Sequence, residues 1–106
     1  MKYFSPLELT HTVDDMLSDD YKTRFCAEYW QTKIRYEKLK DFCNKIEAGE
    51  VTKYESHRVM TPAHDCPLEL LREQQSLMGQ YLHVLEIRAV IENIDLHNHI
   101  KSNDKQ

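Results

Sequence analysis

RFCAEYWQTKIRYEKLKDFCNKI, residues 24–46, decides the fold. Phe25, Tyr29, Thr32, Tyr36, Leu39, Cys43 and Ile46 recur at alternating steps of four and three. That spacing puts them on one stripe of an α-helix, whereas a strand, with its two-residue period, would scatter them over both faces. Only Thr32 interrupts the apolar seam. Upstream, Ser18 is a good N-cap, with Asp19 and Asp20 where the helix dipole favours acids. Downstream, Gly49 suits the residue just past a helix end, with Lys45 in the last turn. The pattern predicts a helix over about 19–47, within a segment 18–48.

A second helix follows at HDCPLELLREQQ, residues 64–75. Proline at a first helical position loses no hydrogen bond, so Pro67 marks the start. Cys66 then falls at the N-cap, and Glu69 supplies half of a capping box. One seam runs Leu68, Leu71, Gln75, Met78, Leu82, Leu85 and Ala89. Another runs Leu70, Leu77, Tyr81, Val84 and Ile91. A helix over about 66–95 with two apolar seams needs cover on two sides. One antiparallel partner covers the first, and the N-terminal segment or another copy of the chain covers the second.

Ser5-Pro6-Leu7-Glu8 carries a capping-box signature with proline at the first position. It predicts a short helix over 6–16 that presents Leu9, Val13, Met16 and Leu17. The whole chain, 1–106, then reads as a single all-α domain: an N-terminal segment 1–17, a long antiparallel hairpin, a loop 49–65 and a flexible polar tail 97–106. The loop is too long for a tight αα turn, and long connections in compact domains tend to be functional or disordered. Its alternation around 51–60 also fits a short strand or ribbon.

Composition narrows the function classes. The 106 residues carry 14 basic and 18 acidic side chains, a net charge of −4. That excludes a general nucleic-acid coat, which would be basic. The basic stretch is 21–45, where Lys33, Arg35, Lys38 and Lys40 alternate with Glu37 and Asp41, the pattern of a solvated helix face. The mild acidity keeps charge mimicry of a nucleic acid, and so a protein-inhibitor role, in view. No apolar run is long enough to span a bilayer, and no signal peptide follows Met1. Cys26, Cys43 and Cys66, an odd count without framework spacing, read as reduced thiols of a cytoplasmic protein.

His64-x-Cys66 and His97-x-His99 offer metal-ligand types but lack paired zinc spacing, and no metal or other cofactor is implied. A Cys66 nucleophile with His57 or His64 as base would need a cleft and an oxyanion hole, which a framework of this size hardly provides. Helix capping accounts for Cys66 without either role. No Gly-rich phosphate loop or nucleophile elbow occurs, so the chain reads as a non-enzyme. Anion capture is the better use of the loop. Lys53, His57, Arg58 and His64 precede the Pro67 helix start, Arg72 lies one turn in, and backbone N–H groups there favour anions. Tyr54 or Tyr81 can stack a base. The competing view is that each is a solvated residue, with Arg72 salt-bridged to Glu69 or Glu73.

MLSDDYKTRFCAEYWQTKIRYEKLKDF (16–42) and HDCPLELLREQQSLMGQYLHVLEIRAVIENIDL (64–96) resemble a family of small phage and prophage helical proteins first named from crAss-like phages. The helix–loop–helix plan is similar, more loosely, to the hairpin of phage sponges that sequester nucleotide immune signals, the anti-CBASS and anti-Thoeris proteins. The resemblance implies an anti-defence protein that binds a small anionic, cyclic nucleotide signal without turnover. It implies a homo-oligomer in the cytoplasm of an infected bacterium, touching neither membrane nor nucleic acid in general. Two other expectations stand beside it: a protein–protein inhibitor of a host defence nuclease, of anti-CRISPR kind, and a structural or adaptor phage protein.

Overall fold

A computed structural model describes residues 6–97. It holds three helices in the order α1 (Pro6–Met16), α2 (Tyr21–Val51) and α3 (Leu68–Ile91). The chain is all-α, and α2 and α3 pack as the expected hairpin. No strand occurs among the described residues. Ser5 of the N-terminal capping box, His99 and the tail 98–106 lie outside them. The chain divides into two compact units. One comprises the chain up to Ile34 together with everything from Gln80 onward, and the other runs from Arg35 to Gly79.

In the first unit α2 starts two residues later than its sequence suggests, because Asp20 rather than Ser18 caps it. Asp20 Oδ2 accepts hydrogen bonds from the Thr23 N–H at 2.9 Å and the Thr23 hydroxyl at 2.8 Å. These bonds, to the charged form, hold the Asp20 carboxyl below its ordinary value. Ser18 stays in the preceding turn, where its Oγ accepts from the Asp20 N–H.

The core of this unit gathers Phe25, Cys26, Ala27, Tyr29 and Ile34 of α2 with Leu82, Leu85 and Ala89 of α3. The α1 helix has the expected bounds but a different buried face. Thr12 is 1% exposed, whereas Val13, Met16 and Leu17 face solvent. The Thr12 hydroxyl is satisfied by donating to Leu9 O at 2.6 Å, so its methyl can pack at little polar cost. On α2 three consecutive residues, Phe25, Cys26 and Ala27, are buried, so the helix is covered on more than its seam.

Part of that cover comes from beyond α3. The helix ends at Ile91, not near 95, in a Schellman turn: Ile94 N–H donates to Ala89 O at 2.8 Å and Asn93 N–H to Val90 O at 3.3 Å. Asn93 takes the left-handed conformation, φ 58°, that such a turn requires. The chain then folds back on α2. Ile94 and Leu96 are buried, Trp30 Nε1 donates to Leu96 O at 2.8 Å, and Cys26 Sγ lies 4.0 Å from Asp95 O. The helix with cover on two sides is therefore α2. The second seam of α3 stays open to solvent, with Leu70, Leu77, Tyr81, Val84 and Ile91 all exposed.

In the second unit Cys43 and Ile46 are buried, and Leu39, Leu68, Leu71, Gln75 and Met78 are half-buried, as their seams require. Gly49 does not end α2, which runs on to Val51. It lies buried inside the helix because the loop seats there: a Cβ on Gly49 would stand 2.1 Å from Thr61 Oγ1 and 3.0 Å from Thr61 Cα. Tyr36 likewise rests on Gly79, its Cε1 3.4 Å from where a Cβ would be. The first bonds of α3, Leu70 N and Leu71 N to Pro67 O, make Pro67 its flanking residue. Cys66 is thus one position short of the N-cap assigned to it.

Candidate functional site

The loop between the hairpin helices is organised by Thr52. Its hydroxyl donates to Ala48 O at 2.7 Å and accepts from the Val59 N–H at 2.9 Å. The second bond closes residues 53–58 into a loop with joined ends. Glu55 N–H to Thr52 O, 2.9 Å, adds a turn inside it. These local bonds replace the strand pairing that the alternation suggested. Further on, Thr61 seats on Gly49. His64 Nδ1 bonds Pro62 O at 2.8 Å, and its ring stands edge-on to Phe42 at 6.3 Å between centroids.

This closure gathers Lys53, Tyr54, His57 and Arg58 on one short loop, all exposed. Lys53 Nζ sits 3.4 Å from Glu50 Oε1 and 5.5 Å from the Tyr54 ring centroid. Tyr54 is 90% exposed, so its ring is an available stacking face. Neither His57 nor Arg58 has a hydrogen-bond or ion-pair partner among the described residues. Two cations, an imidazole and an open aromatic ring thus lie within six residues.

The other expected contacts do not join it. Arg72 is already engaged: it pairs with Glu47, donates to Asn44 Oδ1 at 3.1 Å and to Gln75 Oε1 at 2.7 Å. Its partner is Glu47 on α2, not Glu69 or Glu73 of its own helix. Tyr81 falls in the first unit, where its hydroxyl donates to the Glu28 carboxylate, a bond that pushes the phenol pKa up. His64 faces Phe42, spending one ring nitrogen on Pro62. Cys66 is half-buried. No three His, Cys, Asp or Glu side chains assemble as a metal site among the described residues.

One polar cluster was invisible in the sequence. Tyr21 Oη donates to Glu92 Oε1 at 2.8 Å and accepts from Arg88 Nη2 at 2.5 Å, while Arg88 Nε donates to Glu92 Oε2 at 2.9 Å. The Tyr21 bond, helped by Arg88, holds Glu92 below its ordinary value. Arg88 also lies 5.0 Å over the Phe25 ring. Only the Arg88–Glu92 spacing, four apart on α3, could have hinted at it. Tyr21 lies 71 residues from Glu92, and no local pattern joins them.

What these features define is a small helical-hairpin protein with an ordered, solvent-open basic loop. The chain belongs to the Sequestin family, whose model matches residues 19–91 and so takes in α2, the loop and α3. No curated protein and no solved structure matches it. No helix among the described residues is long and apolar enough to cross a membrane.

Proposed function

We propose that the chain sequesters a small anionic nucleotide, of the cyclic kind used as an immune signal, and holds it stoichiometrically without turnover. The setting is the cytoplasm of a bacterium infected by the phage that encodes it. The observation that carries this is the closed loop 53–58, which presents Lys53, His57 and Arg58 beside the open Tyr54 ring. Membership of a family named for sequestration supports a binding role over a catalytic one. Phosphate oxygens would take the Lys53 and Arg58 donors, and a base would lie on Tyr54. Arg72 would act at one remove, holding α3 to Glu47 and Asn44 beneath the loop's end.

The test is a thermal-shift screen against cyclic di- and trinucleotides and cyclic ADP-ribose isomers. A ligand that binds only the folded chain adds about 2.7 kcal/mol at a hundredfold excess over its Kd. Arg58→Ala and Tyr54→Ala should each abolish most of that shift while leaving the unliganded melting temperature unchanged. A screen without a shift, or full shifts in both variants, refutes the reading and turns attention to a host defence protein as the target.

A further inference from the structure

Glu50 stands in the last turn of α2, a turn that holds no base. The helix dipole disfavours an acid at that end, so helix formation does not explain it. The carboxylate reaches Lys53 instead, with Oε1 3.4 Å from Nζ. Both side chains are more than half exposed, and a pair in that setting adds little to stability. A second acid, Glu55, lies between Lys53 and Arg58 in the closed loop, its N–H tied to Thr52 O at 2.9 Å. Over residues 50–58 Glu50 and Glu55 match Lys53 and Arg58 charge for charge.

Lys53 and Arg58 alone would favour whichever ligand carries the most negative charge, since the attraction scales with that charge. The acids oppose this. A phosphate that approaches Lys53 meets the Glu50 carboxylate already on it. Glu55, two residues from Lys53 and three from Arg58, lies within a Debye length, ~10 Å, of both. Stacking on the Tyr54 ring is indifferent to ligand charge and is left to decide. We infer that Glu50 and Glu55 are specificity-determining residues: they cancel the charge advantage of terminal phosphates, so that the loop takes phosphodiester-linked nucleotides.

The chemistry of the two ligand classes makes the discrimination workable. A diester phosphate carries one negative charge, whereas a terminal phosphate carries about −1.5 to −2 at pH 7. Each acid therefore opposes a nucleoside triphosphate several times more strongly than it opposes a cyclic dinucleotide. Selectivity of this kind comes from repelling the wrong ligand as much as from holding the right one. The inference rests on the nucleotide reading of the 53–58 loop and narrows it.

The test measures binding of cyclic diadenylate and of ATP to the full chain by calorimetry. Glu50→Gln/Glu55→Gln should tighten ATP binding several-fold and cyclic diadenylate binding much less, and added salt should erase the gain. Glu37→Gln removes an equal charge about 20 Å along α2 from Glu50 and should leave both affinities unchanged. Adding Arg58→Ala to the double variant should abolish its gain for ATP. Equal ATP affinity in the parent and the double variant overturns the inference, and so does an equal gain in Glu37→Gln. If Arg58→Ala abolishes binding of cyclic diadenylate by the parent chain while the double variant keeps the parent's preference, only the inference falls. If that binding survives Arg58→Ala, or neither nucleotide binds any of these chains, the nucleotide reading falls with it. The substituted glutamates are exposed or half-buried, and helical circular dichroism confirms that each variant is folded.

Discussion

Thr61 rests on Gly49 with its Oγ1 2.1 Å from where a β-carbon would be. Glycine inside a helix costs about 1 kcal/mol relative to alanine, so its presence there needs a reason, and the seated loop supplies one. Gly49→Ala would gain that propensity. It would also drive a methyl into a side chain and, at 3.0 Å, against the Thr61 backbone; overpacking of this kind costs about 1–3 kcal/mol. The clash wins. Limited proteolysis should cut 53–61 faster in Gly49→Ala than in the parent, and adding Thr61→Gly should restore part of the protection.

Asn93 stands in the left-handed region at φ 58°, where a β-branched residue is strained by about 1–2 kcal/mol. Asn93→Val should therefore lower the melting temperature by several degrees for a domain of this size. Asn93→Gly should leave it unchanged or raise it slightly. Equal losses in both would mean that the side chain, not the backbone, holds the turn.

Leu85 is 2% exposed and Val90 is 79% exposed on the same helix. Leu85→Ala should cost about 2–5 kcal/mol in denaturant unfolding. Val90→Ala should stay within about 0.5 kcal/mol. A reversed order would invalidate the inward seam of α3.

Two carboxyl groups tie folding to acid. Thr23 lowers the Asp20 pKa, and Tyr21 with Arg88 lowers that of Glu92. A depressed folded-state pKa gives stability that is fully present above the ordinary value and lost as pH falls through the depressed one. The loss should fall below the ordinary values of 3.8 for Asp20 and 4.5 for Glu92. Equilibrium unfolding of Asp20→Asn and Glu92→Gln against pH should show less acid sensitivity than the parent. Unchanged acid profiles would show that neither bond contributes.

The three thiols should react in sequence. Burial pushes the Cys26 thiol up to about 11, with Asp95, Asp15 and Asp20 adding to the shift, so little thiolate forms at neutral pH. Cys43 is fully buried, and Cys66 is half-buried. A chromogenic thiol reagent should label Cys66 first in the native chain, and Cys26 and Cys43 only after unfolding.

The hairpin was legible because period alone settles it. Phe25 to Ile46 and Leu68 to Ala89 both turn their stripes inward. The ends were less legible. Ser18 and Asp20 are both good caps, and only Thr23's two bonds to Asp20 decide between them. Gly49 looks like a stop until Thr61, twelve residues on, is seen to need it. The α1 helix was placed correctly but turned wrongly, because hydropathy ranks Val13 above Thr12. The candidate site divided for a similar reason. Lys53, Tyr54, His57 and Arg58 are neighbours in sequence and remain so. Arg72 was claimed by Glu47, 25 residues away, and no spacing rule reaches that far.

Trp30 is the only tryptophan in the chain. Its indole is tied to the backbone at Leu96, with the Tyr29 ring at 5.2 Å and the His97 ring at 5.9 Å. Intrinsic fluorescence of this protein is therefore a single-site optical signal. Its wavelength follows the docking of residues 94–97 on α2, and a red shift during a melt marks the release of that turn. Far-ultraviolet dichroism follows all three helices together, so the two traces will separate wherever the C-terminal turn lets go before the hairpin does.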